Sequence, residues 1–298
     1  MSTTQRLVGK PTVLGDGMTI TRTLPSARRR TIGAWCFLDH FGPIDVSAGA
    51  GLRVGPHPHI GLQTVTWLLE GEILHRDSLG SVQNICPGQL NLMTSGKGIS
   101  HSEESPAERP ARLHGAQFWI ALPDASRQCA PAFTHHAELP VCEHQGLQVT
   151  LFIGELLGLM SPAQVHSPLV GAELRVPATA SGEGQTTQTA LPLRRDFEHG
   201  IQVLTGRLIV DGEVLEPGTL LVLEAGRDIV GMHAEAGTCA VLVGGEPFRE
   251  EVLMWWNFVG RSRPELTQAC IDWNSQAGYF GEVRGYDGAR LSAPMPPW

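Results

Sequence analysis

The chain has 298 residues, of which 42% are hydrophobic, and this supplies the core of one large domain or of two average ones. Its 35 glycines and 21 prolines favour frequent turns and short strands over long helices. The net charge of −8 argues against a direct nucleic-acid surface, and without a run of 18 apolar residues no membrane span is expected.

The amino terminus and the cysteines bear on the compartment. The first residues lack the apolar core of a secretory signal, and the six cysteines form no Cys-x-x-Cys pair. Cysteines far apart in a chain without a signal are expected to remain reduced thiols, so we expect a cytoplasmic protein. We do not expect cysteine to bind metal here. The one basic run, Arg28-Arg29-Arg30, is interpreted as a solvated loop before a strand, in preference to a nuclear signal.

The first clear strand pattern lies at residues 33–43. Residues 33–38 form a short apolar run that ends at the turn-like residues 39–43. The pattern predicts a buried strand that enters a turn. His40 has no possible ligand two positions away in sequence and is interpreted as structural.

Two short motifs carry possible metal ligands at the same spacing. His57 and His59 lie two positions apart, and so do His101 and Glu103. In a strand, side chains at this spacing share a face, with Cα atoms about 6.5–7 Å apart, so both pairs can converge on one ion. The β-forming residues 63–69, followed by turns and another short strand, lie between the motifs.

The predicted ligand set limits the chemistry. Three imidazoles and one carboxylate suit Fe(II), Ni, Mn, Cu or Zn at a site of higher coordination than a structural zinc site. An octahedral ion would keep two positions open, one for O₂ or water and one for a substrate oxygen. Glu103 would bind the ion, or detach and take a proton from the substrate, and general base catalysis of this kind contributes about 10²–10⁴-fold.

The segment after the second motif predicts a strand and then a connection. Residues 113–122 are strand-like, and His114 within them is a candidate for a polar group beside the substrate. Residues 123–143 are rich in Pro, Ala and polar residues, and residues 126–146 are predicted to be an inter-domain linker. His135 and His136 cannot both face one ion from a strand, and we interpret them as loop residues.

The second half of the chain repeats the first weakly. Residues 204–208 resemble residues 69–73, and residues 217–222 resemble residues 87–92, at offsets of about 130 residues. The match predicts a second β-unit without the ligand pairs, whereas His199 and His233 leave a different site open. When Gly71 is matched to Gly206, His57 falls on Pro192 and His59 falls on Arg194. In the same match, His101 falls near Gly231, and Gln63 falls on Glu198.

The carboxyl-terminal part predicts one loop and one helix. Residues 179–189 are poor in apolar residues and are predicted to form an exposed loop. Residues 262–277 are predicted to form a helix that begins with a capping box between Ser262 and Glu265 and ends at Gly278. Its predicted apolar face consists of Leu266, Ala269, Cys270 and Trp273.

Residues 56–78 and 87–103, which contain both ligand motifs, resemble the pirin family of the cupin superfamily. The resemblance covers nearly the whole chain. It implies an all-β fold of two cupin (jelly-roll-type) β-barrels in tandem with a short carboxyl-terminal helix. The metal-binding barrel would span residues 1–125, and a second barrel without a metal would span residues 147–298, after the linker. Shorter matches to the family are residues 39–43, 113–115, 245–247 and 256–259.

The resemblance also implies a ligand set. The pirin positions that match His57, His59, His101 and Glu103 hold iron, which implies one divalent ion per chain, in the first place Fe(II). Gln63 departs from the glutamate that many relatives carry. Gln63 and His114 are therefore kept as candidates for polar groups beside the ligands or the substrate.

Three functions follow from the resemblance. The first is a quercetinase, in which a flavonol or similar small aromatic substrate is opened by O₂ with release of carbon monoxide, and Glu103 is both ligand and catalytic base. The second is a non-enzymatic, iron-dependent, redox-sensing transcriptional co-regulator that acts through a protein partner and without direct DNA contact. The third is a zinc-dependent cupin isomerase without O₂ dependence. Many members of the family look monomeric, and a monomer is expected.

Overall fold

The computed structural model describes residues 4–14, 18–178 and 186–298, and these residues are mostly β-strands. The first twelve strands are β1 (Thr4–Val8), β2 (Lys10–Leu14), β3 (Met18–Leu24), β4 (Trp35–Asp45), β5 (Arg53–His59), β6 (Leu62–Glu70), β7 (Ile73–Asp77), β8 (Val82–Ile85), β9 (Leu90–Thr94), β10 (Ile99–Glu104), β11 (Arg112–Ala121) and β12 (Ala132–His136). The others are β13 (Val141–His144), β14 (Leu147–Leu156), β15 (Leu159–Met160), β16 (Leu169–Arg175), β17 (Thr186–Pro192), β18 (Glu198–Thr205), β19 (Leu208–Val210), β20 (Glu213–Leu215), β21 (Thr219–Leu223), β22 (Ile229–Glu235), β23 (Cys239–Gly245), β24 (Leu253–Trp255) and β25 (Phe258–Gly260).

The chain divides into two compact units, named here by their longest segments. Within the described residues, the 41–137 unit contains Thr12–Ile20, Phe41–Ala137 and Arg249–Trp298. The 138–248 unit contains the residues up to Pro11, Thr21–His40 and Glu138–Phe248. This division differs from the sequence-based one, because segments near both ends of the chain belong to the unit built mainly from the opposite half.

Each unit contains one larger and one four-stranded sheet. In the 41–137 unit, the four-stranded sheet has the order β5-β10-β7-β8, and the larger sheet begins β12-β9-β6-β11-β4 and continues to β3 and β2. In the 138–248 unit, the corresponding orders are β17-β22-β19-β20 and β1-β21-β18-β23-β16-β14-β13. The shared order confirms the predicted tandem β-barrels and the internal repeat.

The predicted linker contains regular structure. Residues 126–146 include β12, which pairs with β9, and β13, which pairs with β14. His135 and His136 therefore lie in a strand, and the prediction that they are loop residues is wrong. Of the predicted loop at residues 179–189, residues 179–185 lie outside the described residues, and the remainder begins β17.

Helix α1 (Arg263–Asn274) forms close to its predicted position and is followed by a 3-10 turn at Gly278–Phe280. Its predicted apolar face is buried. The Ser262 hydroxyl accepts the Glu265 amide at 3.3 Å, whereas the Glu265 carboxylate accepts the amide of Arg261, so only half of the capping box forms. The helix ends at Asn274, before the residue predicted to stop it.

The basic run is not uniformly solvated. Arg28 and Arg30 are exposed, but the Arg29 guanidinium donates to the carboxylates of Glu198 and Glu224. The second carboxylate oxygen of Glu198 accepts the amide of Gly33 at 2.9 Å. Arg29 is therefore part of the 138–248 unit's structure.

No helix among the described residues is both long and apolar enough to cross a bilayer.

Candidate metal centre

Two neighbouring strands bring three histidines together inside the 41–137 unit. In the antiparallel pair of β5 and β10, His101 lies opposite His57, and Ile99 lies opposite His59. All three histidines are buried, and each offers a ring nitrogen within 4.8 Å of the others. The structure therefore brings together the three imidazoles that the two sequence motifs predicted.

Backbone carbonyls orient two of the rings. His57 Nδ1 lies 2.9 Å from the Gly55 carbonyl oxygen, and His59 Nδ1 lies 2.9 Å from that of Asn257. Because a carbonyl only accepts hydrogen bonds, both Nδ1 atoms carry protons, and each neutral ring presents a lone pair at Nε2.

Burial keeps these rings neutral. It lowers the pKa of His57 to about 4 and holds the pKa values of His59 and His101 well below the usual range, because a charged imidazole loses its hydration there. A neutral imidazole is the form that binds metal.

The spacing of the nitrogens fits one ion. His59 Nε2 and His101 Nε2 are 3.0 Å apart. Two nitrogens at the usual zinc distance of about 2.0–2.1 Å, bound at a right angle, would be separated by about 2.9 Å. A cation placed between these two nitrogens could bind the Nε2 lone pair of each ring. The residues present therefore fit a metal ion.

Glu103 lies beside the three histidines but outside the group of nitrogens that are mutually close. Its Oε1 accepts a hydrogen bond from the Thr66 hydroxyl at 3.4 Å. Burial raises the pKa of the Glu103 carboxyl, while the nearby His75 and the Thr66 hydrogen bond act in the opposite direction. A carboxylate that has lost hydration is stabilised by a neighbouring cation, which makes Glu103 a suitable fourth ligand.

The structure also places His75 and Asp77, which are not part of the two sequence motifs, against the cluster. In the pairing of β10 with β7, Glu103 lies opposite His75 and His101 opposite Asp77. His75 Nδ1 is 3.4 Å from His101 Nδ1, and both β7 residues are buried. The spacing of two residues that singled out the other pairs was also present here.

Gln63 and His114 are not brought to the histidines. The Trp119 ring lies 5.2 Å from the His59 ring between centroids, so the face of β11 that carries Trp119 is the one turned towards the histidines. Gln63 pairs with Ile120, the next residue along β11, and therefore lies on the other face of the sheet. The Gln63 amide donates to Thr94 at 2.8 Å. His114 is five residues from Trp119 along β11, or about 17 Å.

The corresponding positions of the 138–248 unit are apolar. Strand β7 corresponds to β19, because each follows the shared turn at Gly71 or Gly206. The strand pairing around β7 and β19 then identifies the residues of the 138–248 unit that are equivalent to those of the cluster. They are one residue away from the sequence alignment, and such a slip exchanges the two faces of a strand. The equivalents of His57, His59, His75, His101 and Glu103 are Leu191, Leu193, Val210, Val230 and Met232, all in the core.

His199 and His233 do not create another metal cluster. His199 is buried and His233 is exposed. Across the described residues, the group of His57, His59 and His101 is the one in which three potential metal ligands converge.

Fold and site together define a tandem cupin protein with a histidine cluster in one of its two barrels. Comparison with known families agrees with this class. The family model described as Pirin matches residues 17–120, and the model described as Pirin C-terminal cupin domain matches residues 183–280. The chain belongs to the pirin family.

Several relatives are similar along most of their length. A Pseudomonas aeruginosa protein named as a candidate quercetin 2,3-dioxygenase is 49% identical over 99% of this chain and 91% of its own. A pirin-like protein of Caulobacter vibrioides is 41% identical over 86% of this chain and 88% of its own. The crystal structure of a quercetin 2,3-dioxygenase from Acinetobacter baumannii has 46% identity and a TM-score of 0.94, covering 99% of this chain and 96% of that one.

Proposed function

We propose that this protein is a metal-dependent flavonol 2,3-dioxygenase that opens the ring of quercetin or a similar flavonol with O₂. The observation that carries the proposal is the convergence of three buried, neutral imidazoles beside the Glu103 carboxylate. The names of the Pseudomonas and Acinetobacter relatives support the same reaction.

The proposed ligands are His57, His59, His101 and Glu103, and the proposed ion is Fe(II). When bound, the ion supplies a Lewis acid and open positions for a substrate oxygen and O₂. The chain supplies the proton acceptor. The Thr66 hydroxyl holds the Glu103 carboxylate within the barrel, where it can accept the flavonol 3-hydroxyl proton.

Aromatic residues on the facing sheet supply a surface for the substrate rings. Trp119 meets His59 edge-on, and Phe133 stacks on His75. Trp119 pairs with Thr64, Thr64 pairs with Met93, and Met93 pairs with Phe133 across neighbouring strands of one sheet. Because directly paired residues share a face of the sheet, both aromatic rings lie on the same face. This face would hold a planar aromatic substrate and exclude water from the proton transfer.

Turnover of an iron-loaded sample tests the proposal. Aerobic quercetin should disappear catalytically, with one O₂ consumed and one carbon monoxide released for each flavonol. Glu103→Gln should retain iron and lower kcat by about 10²–10⁴-fold, because it removes the base. Glu104→Gln is the matched control, because the neighbouring Glu104 carboxylate pairs with Arg76 at 3.1 Å instead.

The outcomes separate the candidate functions. Full activity in Glu103→Gln would contradict the role of Glu103. Iron binding without any flavonol turnover would refute the dioxygenase and favour the co-regulator that acts by protein contact. Turnover of an aromatic substrate without O₂ consumption would favour the isomerase.

A further inference from the structure

A buried pair of side chains lies behind His101, on the side away from the other two histidines. His75 Nδ1 is 3.4 Å from His101 Nδ1, and His75 Nε2 is 3.1 Å from Asp77 Oδ2. The other oxygen, Oδ1, accepts the backbone amides of Leu79 and Ser81 at 2.9 and 3.0 Å. Asp77, His75 and His101 thus form a continuous chain of hydrogen bonds that ends at the cluster.

The donor and acceptor roles along this chain of hydrogen bonds follow from the Asp77 carboxylate at its end. The Asp77 carboxylate only accepts hydrogen bonds, so His75 Nε2 must donate to it. With its one proton at Nε2, the neutral form of His75 carries its lone pair at Nδ1, where it accepts the hydrogen bond donated by His101 Nδ1. His101 is left with a lone pair at Nε2, the nitrogen that faces His59.

The position of the His75 ring is also fixed. Phe133 stacks on it, with ring centroids 4.3 Å apart and an angle of 12° between the planes. The turn amides that bind Asp77 fix the other end of the chain. His75 therefore has little freedom to turn its Nδ1 away from His101.

The cluster thus uses two kinds of orienting partner. His57 and His59 are held by backbone carbonyls, which no substitution of a side chain removes directly. His101 depends on the side chain of His75. Partners of this kind fix the tautomer of a metal-binding histidine, and their loss typically weakens metal binding by about 10–100-fold.

We infer that His75 and Asp77 are positioning residues that hold His101 in the tautomer required for metal binding. The inference rests on the metal site of the proposed function and deepens it by assigning two residues outside the ligand set. It does not depend on which reaction the bound metal serves.

Titration of metal-free protein with Co(II) alone tests the inference, with affinity from chelator competition and the visible Co(II) spectrum as signature. His75→Phe keeps the stacking ring but removes the acceptor, so Co(II) should bind about 10–100-fold more weakly. His75→Asn places an amide oxygen near the lost Nδ1 and should restore affinity to within a few-fold of wild type. His135→Phe is the matched control, because His135 bonds Asn91 and no cluster histidine, and it should bind Co(II) normally.

Asp77→Asn provides a second, isosteric test. Its amide oxygen can still accept from Leu79 and Ser81, but its amide nitrogen donates to His75. The direction of donation then reverses, and His101 Nε2 acquires the proton in place of the lone pair. Co(II) binding should fall by about 10–100-fold, and ¹⁵N NMR of the metal-free protein should detect the changed His101 tautomer.

Each result separates the inference from the proposed function. Wild-type Co(II) affinity in both His75→Phe and Asp77→Asn would overturn the inference. Equal losses in His75→Phe and His75→Asn would assign His75 to packing and also overturn it. Failure of the wild-type protein to bind Co(II) would overturn it together with the metal site. The expected affinities combined with no flavonol turnover would support the inference and refute the dioxygenase.

Discussion

Replacing Arg29 by alanine should destabilise the 138–248 unit by about 3 kcal/mol. Arg29 donates to Glu198 and Glu224, and its Nε donates to the carbonyl of Thr31 at 2.8 Å. The Arg29 and Glu198 side chains are only 17% and 13% exposed. Removing the guanidinium therefore leaves a carboxylate without its charge partner in a poorly hydrated place, and this residual exposure selects the lower end of the usual 3–5 kcal/mol range.

Urea denaturation followed by circular dichroism measures the loss, and hydrogen exchange of the β18 amides localises it. The expected change corresponds to a fall in Tm of about 6–12 °C. Arg28→Ala and Arg30→Ala are matched controls from the same run, and both should stay within about 0.5 kcal/mol of wild type because these residues are exposed.

A double variant tests the cause. Arg29→Ala combined with Glu198→Gln removes the uncompensated charge and should be more stable than Arg29→Ala alone. If Arg29→Ala is no less stable than Arg28→Ala, the reasoning from the buried ion pair is refuted. If the double variant is as unstable as the single one, lost packing is the cause instead.

Two further predictions concern one group in each unit. Burial lowers the pKa of His199 from 6.5 to about 4. On acidification the unfolded chain therefore binds a proton at this imidazole at a higher pH than the folded chain does. Lowering the pH from 6.5 to 4 should remove about 3 kcal/mol from the free energy of unfolding. Denaturation of His199→Gln across this range should give a flatter pH dependence, and an unchanged slope would contradict the assignment. Trp119→Leu should raise the KM for quercetin about tenfold, equivalent to about 1.4 kcal/mol, without changing Co(II) affinity, and an unchanged KM would place the substrate elsewhere.

Much of the candidate metal site could be predicted from local spacing. Residues two apart in a strand share a face, and this rule groups His57 with His59, which the structure brings together with His101. The same rule, applied to the intervening strand, would have selected His75 and Asp77. The sequence does not state which strands pair, and only the pairing of β7 with β10 places these two residues against His101.

The errors share another physical cause, which is strand register. Gln63 fits a strand equally well with either face inward, and the structure turns it away from the histidines. The sequence alignment of the two halves was one residue out of register, which exchanged exposed for buried positions such as Leu191. Hydrogen bonding between distant strands sets register, and local composition does not contain that information.

The helix start illustrates a competition that sequence alone does not resolve. Ser262 and Glu265 have the spacing of a capping box, but the Glu265 carboxylate accepts from the amide of Arg261 and pairs with the guanidinium of Arg127. The fold brings the Arg127 guanidinium to Oε1 and the Arg261 amide to Oε2, so a charged partner and a different backbone amide occupy the two oxygens of this carboxylate. Only the half of the motif that depends on Ser262 survives.

The contact between His59 and Asn257 has a consequence for the order of biogenesis. The two residues are 198 positions apart, yet the Asn257 carbonyl sets the orientation of one of the three clustered imidazoles. During translation, the strand that carries His57 and His59 is made long before this carbonyl exists. The final orientation of the His59 ring must therefore wait until Asn257 has been synthesised and lies against it, so the proposed metal centre is completed only after elongation past most of the chain.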